Sequence, residues 1–225
     1  MSSDSSAGIQ PKRLLIVDDH EMVAHALARS LEATPEIRIT GVATTADEAI
    51  RMAEDIQPEI ALIDVHMPGK GGFEIADEVT RRQANCALLF MSGAYSPLSL
   101  HRALSLNCAG FILKGDSISQ LSSMVSRAAR GERVFSRHLE DQLENDPQTG
   151  ELRCRTRSEL MSLTSRQLEV LRLLAKGLSV REVAHEMHLS EKAVDSQKYR
   201  IMKRLNVHDR VELSRLAIRE GLVEP

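Results

Sequence analysis

Between residues 12 and 132 short apolar runs alternate with amphipathic stretches. The runs are "LLIV" (14–17), "IRITGVA" (37–43), "IALIDV" (60–65), "CALLFM" (86–91) and "GFIL" (110–113). Nearly unbroken apolar character over four to seven residues is the mark of a strand covered on both faces. The stretches between carry helix-start signals. Thr45 with Glu48 and Ser117 with Gln120 have capping-box spacing, and Ser96-Pro97 puts proline at a first helical position. Five strands alternating with helices predict an α/β domain, a doubly wound parallel sheet, whose ligands gather at the carboxyl ends of the strands.

From Gly131 to about Ser162 the pattern decays. "LENDPQTGELRCRTRS" (143–158) is polar and holds Pro147 and Gly150, so 133–162 reads as a linker with a short helix around 136–144. From Leu163 helical spacing returns, giving a second, all-α domain of four helices over 163–225. Thr164 with Gln167 opens its first helix and Gly177 stops it; Ser179 with Glu182 opens the second; Ser190 caps the third. The turn "MHLS" joins the last two into a helix-turn-helix, whose second helix enters a major groove. At about 100° per residue, Val194, Ile201 and Leu205 form one stripe, the core side of that helix. Lys192, Asp195, Ser196, Tyr199 and Lys203 lie on another face, the candidate DNA-reading one. A final helix runs from about Arg210 to Gly221.

Composition sharpens this division. The net charge of −3 hides an asymmetry: residues 1–150 carry 14 Lys+Arg against 21 Asp+Glu, and residues 151–225 carry 15 against 11. A basic second module facing a polyanion is the natural reading. No apolar run approaches the ~20 residues of a membrane span. The polar start, residues 1–11, reads as a loose cytoplasmic tail without a signal peptide. Cys86, Cys108 and Cys154 are odd in number and widely spaced, which fits reduced thiols rather than a disulfide framework or a metal knuckle.

The chemistry sits at the strand ends. Two adjacent carboxylates, Asp18 and Asp19, close the first strand; a pair of this kind either turns into water or flanks a cation. Asp64 ends the third strand, Ser92 follows the fourth and Lys114 follows the fifth. In a parallel sheet all five converge on one edge. Three carboxylates there suit an octahedral Mg²⁺ that keeps some of its water. Beside a lysine and a hydroxyl, they are equipped to accept a phosphoryl group, a reaction that depends on positioning and charge neutralisation. "MPGKGG" (67–72) supplies proline and glycines that let backbone approach the site.

Over residues 12–132 this constellation resembles the receiver domain of two-component response regulators: the acidic pair, "LIDVHMPGKGGFE", "FMSGAY" and "FILKGD" occur in order. The resemblance implies a flavodoxin-like five-stranded fold with Asp64 as phosphoacceptor and Lys114 as its charge partner. It implies Asp19, Asp64 and the backbone carbonyl of His66 as direct Mg²⁺ ligands, with Asp18 helping through water, and Ser92 and Phe111 as the switch pair. Gly115 stands where many receivers have proline after the lysine, so a trans bond is expected there. The His66 side chain is expected to border the pocket and tune hydrolysis of the acyl phosphate.

The second domain resembles the LuxR-type DNA-binding domain, and the whole chain the NarL/FixJ response regulators. Gln167 replaces a usual Glu conservatively. Asp195 replaces a basic or small polar residue; it either accepts from cytosine N4 or bonds locally in its helix. The resemblance implies a transcription factor rather than an enzyme, catalysing only its own phosphoryl transfer and dephosphorylation. Its implied partners are a sensor histidine kinase, promoter DNA in inverted-repeat half-sites, a second copy of the chain when active and, as a further candidate, RNA polymerase. Two rivals are a phosphorylation-responsive adaptor acting through protein contacts and an aspartyl-phosphate hydrolase. The latter usually has a second acid where His66 stands.

Overall fold

The computed structural model describes residues 10–223, so of the expected tail only Gln10 and Pro11 are seen, exposed and without regular structure. The chain forms two compact units, one comprising the chain up to Ala94 with Arg102–Asp141, the other Tyr95–His101 with the chain from Gln142 onward.

In the first unit the strands are β1 (Lys12–Val17), β2 (Ile37–Ala43), β3 (Ile60–Asp64), β4 (Ala87–Ser92), β5 (Gly110–Leu113) and β6 (Val134–Phe135). They pair in parallel in the order β2-β1-β3-β4-β5-β6. The five expected strands all form, and a two-residue sixth joins at the β5 edge. Helices α1 (Glu21–Leu31), α2 (Ala46–Ile56), α3 (Gly72–Arg82), α4 (Pro97–Ser105, of which residues 97–101 group with the other unit) and α5 (Ile118–Ala129) make the crossovers. Because β1 lies between β2 and β3, the winding reverses beside it, and the carboxyl ends of β1 and β3 border the crevice where such sheets hold ligands.

The strand interiors are largely apolar because helices cover both faces. Leu14, Ile16, Leu62, Leu89, Met91 and Ile112 pack with Leu27, Leu31, Leu121 and Val125 of α1 and α5. On the other face Phe90 meets Phe73 of α3, their ring centroids 4.8 Å apart. Each such side chain contributes roughly 1.5–3 kcal/mol. In sum that tolerates buried carboxylates at the strand ends, whose desolvation opposes folding. Helix starts follow the sequence closely: Thr45 accepts from the Glu48 amide, Ser96 from the Ser99 amide, and Ser117 with Gln120 closes a full capping box.

The linker stretch has more structure than expected. After β6 comes α6 (Arg137–Glu140), within the expected helix, and then an antiparallel hairpin of β7 (Leu143–Asn145) and β8 (Leu152–Cys154). Arg153 of β8 ties the hairpin by 2.8 Å ion pairs to Glu144 and Asp146.

In the helical unit follow α7 (Ser165–Ala175), α8 (Val180–Glu186), α9 (Glu191–Leu205) and α10 (Arg210–Arg219). Thr164 with Gln167 and Ser179 with Glu182 form complete capping boxes, and Ser190 accepts from the Ala193 amide. Gly177, at φ +98°, adopts the left-handed conformation that ends α7. The three cysteines are free thiols, all buried, and no cis peptide occurs among the described residues, Lys114-Gly115 included.

Candidate functional site

Sheet register aligns the polar strand ends. Val17 pairs with Ile63, Asp64 with Met91 and Ser92 with Leu113, so Asp18, Asp64, Ser92 and Lys114 emerge at one edge. Asp18 and Asp64 are almost wholly buried, 0 % and 2 % exposed. Lys114 Nζ lies 2.7 Å from Asp18 Oδ2 and 2.8 Å from Asp64 Oδ2, bridging the two carboxylates. Burial alone would lower the lysine's pKa; its bonds to Asp18 and Asp64 outweigh this and hold the ammonium above its ordinary range. Asp64 Oδ1 accepts from the His66 amide at 3.1 Å, and Asp18 Oδ1 from the His20 amide at 2.9 Å.

Both oxygens of Asp18 are thus engaged within the protein, although the Lys114 contact is an ion pair without hydrogen-bond alignment. Asp19 differs. Its Oδ1 is buried and accepts no hydrogen bond. One ligand atom each from Asp18, Asp19, His20 and Asp64 lies within 4.8 Å of the others. An orphaned carboxylate oxygen in a ring of acids is an arrangement a cation would satisfy, so the donor set fits a hard divalent ion.

Ser92 is buried, and its hydroxyl donates to Ala94 O at 2.9 Å. Phe111 is fully buried, its ring already inward, and its carbonyl accepts from the Ser136 amide at 3.0 Å. Ser136 Oγ in turn accepts from the Leu113 amide at 2.7 Å and donates to Asp116. The loop carrying Lys114 is therefore laced to the segment after β6.

On α9, Val194, Ile201 and Leu205 are buried, while Lys192, Asp195, Ser196, Tyr199 and Lys203 are all exposed. Tyr199 shows two-thirds of its surface, 67 %. Asp195 pairs with Lys198 at 2.7 Å, one turn along the same helix. The local bond considered for Asp195 is thus formed in the free chain.

The receiver-domain model of response regulators matches residues 14–126, and that of the luxR family of bacterial regulatory proteins matches residues 161–217. Over 210 residues the chain is 30% identical to the response regulator UvrY of Escherichia coli K12, spanning 93% of this chain and 94% of UvrY. The chain belongs to the NarL/FixJ family of response regulators.

This response regulator is also 26% identical over 215 residues to GacA of Pseudomonas aeruginosa, covering 94% and 98% of the two chains. Its fold is that of the RcsB response regulator of Salmonella typhimurium, at 23% identity and a TM-score of 0.70 over 93% of this chain and 98% of that one. A solved RcsB–DNA complex matches at 23% identity and a TM-score of 0.68, over 92% and 98%. As a family member it is a two-component transcription factor with a receiver and a LuxR-type helix-turn-helix.

Gly72, in the "MPGKGG" stretch expected to let backbone approach the site, opens α3 against the Asp64 backbone. Two residues at or beside the pocket escaped sequence reasoning. Ser136 looked like part of a linker. His20 directly follows the acidic pair, and that adjacency was the signal for it.

Proposed function

We propose that Asp64 is the phosphoacceptor of this response regulator, and that its phosphorylation by a sensor histidine kinase controls promoter binding through α9. The bridging of buried Asp18 and Asp64 by Lys114 carries this reading: an ammonium held between two carboxylates offsets the charge of an incoming phosphoryl group. Asp64 attacks the phosphorus of a phosphohistidine through a carboxylate oxygen. The new O–P bond forms as the P–N bond breaks, and the imidazole leaves with the electron pair. Asp19, Asp64 and the His66 carbonyl would hold Mg²⁺ directly and Asp18 would help through water; the ion would supply further neutralisation of phosphoryl charge. Lys114 follows its charge partner onto the phosphoryl group, and Ser92 exchanges its bond to Ala94 O for one to a phosphoryl oxygen. The His66 side chain borders the pocket and governs water's approach to the acyl phosphate. This chemistry on its own Asp64 is the only catalysis assigned to the chain.

Residues 12–132 act as the receiver and 163–225 as the DNA-binding domain. The exposed face of Lys192, Ser196, Tyr199 and Lys203 favours DNA over a purely protein-binding adaptor. The active form is a homodimer on inverted-repeat half-sites, with RNA polymerase as a further contact, and it works in the cytoplasm. No helix among the described residues is long and apolar enough to cross a membrane.

The decisive test is mass spectrometry after incubation with Mg²⁺ and a small acyl-phosphate donor. One acid-stable, base-labile phosphoryl group is expected on the intact chain and none on Asp64→Asn, whose amide is not a competent nucleophile. Undiminished labelling of the variant refutes the assignment.

A further inference from the structure

We propose that His20 is a nitrogen ligand of the pocket's cation and shifts the site's preference from Mg²⁺ toward borderline divalent ions such as Co²⁺. The proposal rests on the reading of the acidic pocket as a cation site and adds to it a donor of different chemistry.

Three observations converge on the ring. His20 occupies the N-cap position of α1, but its side chain makes no capping hydrogen bond, so the helix does not hold the imidazole. The ring instead turns to the acids, with Nδ1 hydrogen-bonded to Asp18 Oδ1 at 3.3 Å and lying 3.1 Å from Asp19 Oδ1. Asp19 Oδ1, buried beside that nitrogen, nonetheless accepts no hydrogen bond. A carboxylate oxygen and an imidazole nitrogen so close, yet unaligned for hydrogen bonding, are spaced like two neighbouring ligands of one ion: with metal–ligand bonds of about 2.1 Å, adjacent corners of an octahedron lie about 3 Å apart. One nitrogen of His20 is among the donor atoms that cluster within 4.8 Å with Asp18, Asp19 and Asp64.

The chemical consequence is selectivity. Carboxylate, carbonyl and water donors suit Mg²⁺, which gains little from imidazole, whereas an added ring nitrogen favours first-row transition ions in the order Mn²⁺ below Co²⁺. The histidine therefore sets which ion the pocket takes without changing the count of charges in it. With the ring two-thirds exposed, 67 % by side chain, its replacement leaves the core intact.

The test compares the full chain with His20→Phe, which keeps a ring and removes its nitrogens. Dissociation constants for Mg²⁺ and Co²⁺ are measured by calorimetric titration. The Co²⁺ preference over Mg²⁺ should fall on the order of tenfold or more in the variant, as for loss of a metal-site histidine interaction. Pulsed EPR of bound Mn²⁺ should show imidazole nitrogen coupling in the wild type and none in His20→Phe. An unchanged Co²⁺-to-Mg²⁺ ratio, or nitrogen coupling that persists in the variant, overturns the role of His20 and leaves the acidic pocket standing. Failure of the wild type to bind either ion overturns both readings together.

Discussion

Gly72 lies so close to the Asp64 backbone that a Cβ on it would sit 2.0 Å from the Asp64 carbonyl oxygen and 2.9 Å from Val65 Cα. Its amide donates to Val65 O at 3.1 Å, fastening the start of α3 to the end of β3. The glycine's lack of a side chain thus lets α3 start directly against the end of β3, where Asp64 sits.

Gly72→Ala should therefore damage function more than stability. The clash is with backbone, which cannot rotate away, so β3 or α3 must shift, at about 1–3 kcal/mol. The shift falls directly on Asp64. Phosphoryl incorporation should drop at least tenfold under conditions where circular dichroism still reports a folded chain. Wild-type labelling would show that the loop absorbs the methyl elsewhere.

Lys114→Met should make stability depend on Mg²⁺. Without the ammonium, Asp18 and Asp64 stay buried and like-charged. Breaking such a network costs about 3 kcal/mol, the low end of the range because Lys114 is partly exposed. A divalent ion then becomes the principal cation between them, so saturating Mg²⁺ should raise the melting temperature more in the variant than in the wild type. Equal shifts would mean that Lys114 does not carry the charge balance of the pocket.

Glu59 gives a pH dependence with a definite sign. Its bond from Lys12 at 2.8 Å, together with that from the Arg13 amide, outweighs partial burial and holds its carboxyl below the ordinary 4.5. A carboxylate with a depressed folded-state pKa contributes stability above its unfolded value, lost as pH falls through the lower folded one. Glu59→Gln should flatten the acid limb of the stability curve below pH 4.5 and lower the neutral plateau. Denaturant titrations at stepped pH would show it; parallel curves for the two proteins would remove Glu59 from the acid response.

What the chain declares about itself follows from where its constraints are local. The strands were legible because burial on both faces makes them contiguously apolar, and most helix starts because Thr45, Ser117, Thr164 and Ser179 act within three residues of themselves. The convergence of Asp18, Asp64, Ser92 and Lys114 needed only strand ends and a parallel sheet. β6 was too short for a period, and the hairpin of β7 and β8 hid in a polar stretch because each strand has only three residues, with Leu143 and Cys154 its buried pair. His20 and Ser136 act through contacts set by the tertiary fold: His20 by a ring turned toward the acids, Ser136 through an amide 23 residues away.

The pairing of Asp195 with Lys198 changes what substitution on α9 should do. In the free protein the lysine's charge is occupied by its own helix, at 2.7 Å from the carboxylate. Asp195→Ala removes a negative charge from the exposed face and releases Lys198 toward phosphate. Non-specific affinity should rise, and the salt dependence should steepen by about one unit of slope, the signature of one added phosphate contact. Lys198→Ala should not strengthen binding in that way, because it leaves the carboxylate in place. Lys192→Ala or Lys203→Ala should weaken binding to all sequences and flatten the slope where phosphate is touched. If Asp195 exchanges its lysine for a cytosine N4 on binding, Asp195→Ala should also lose about 1–3 kcal/mol of discrimination at that base pair. Specific and non-specific affinities measured across a salt series separate these cases. A steeper slope with discrimination retained assigns Asp195 to holding Lys198. A reduced ratio of specific to non-specific affinity that persists across the series assigns it to reading a base. Unchanged affinities and slope would place the DNA-contacting face of α9 elsewhere on the helix.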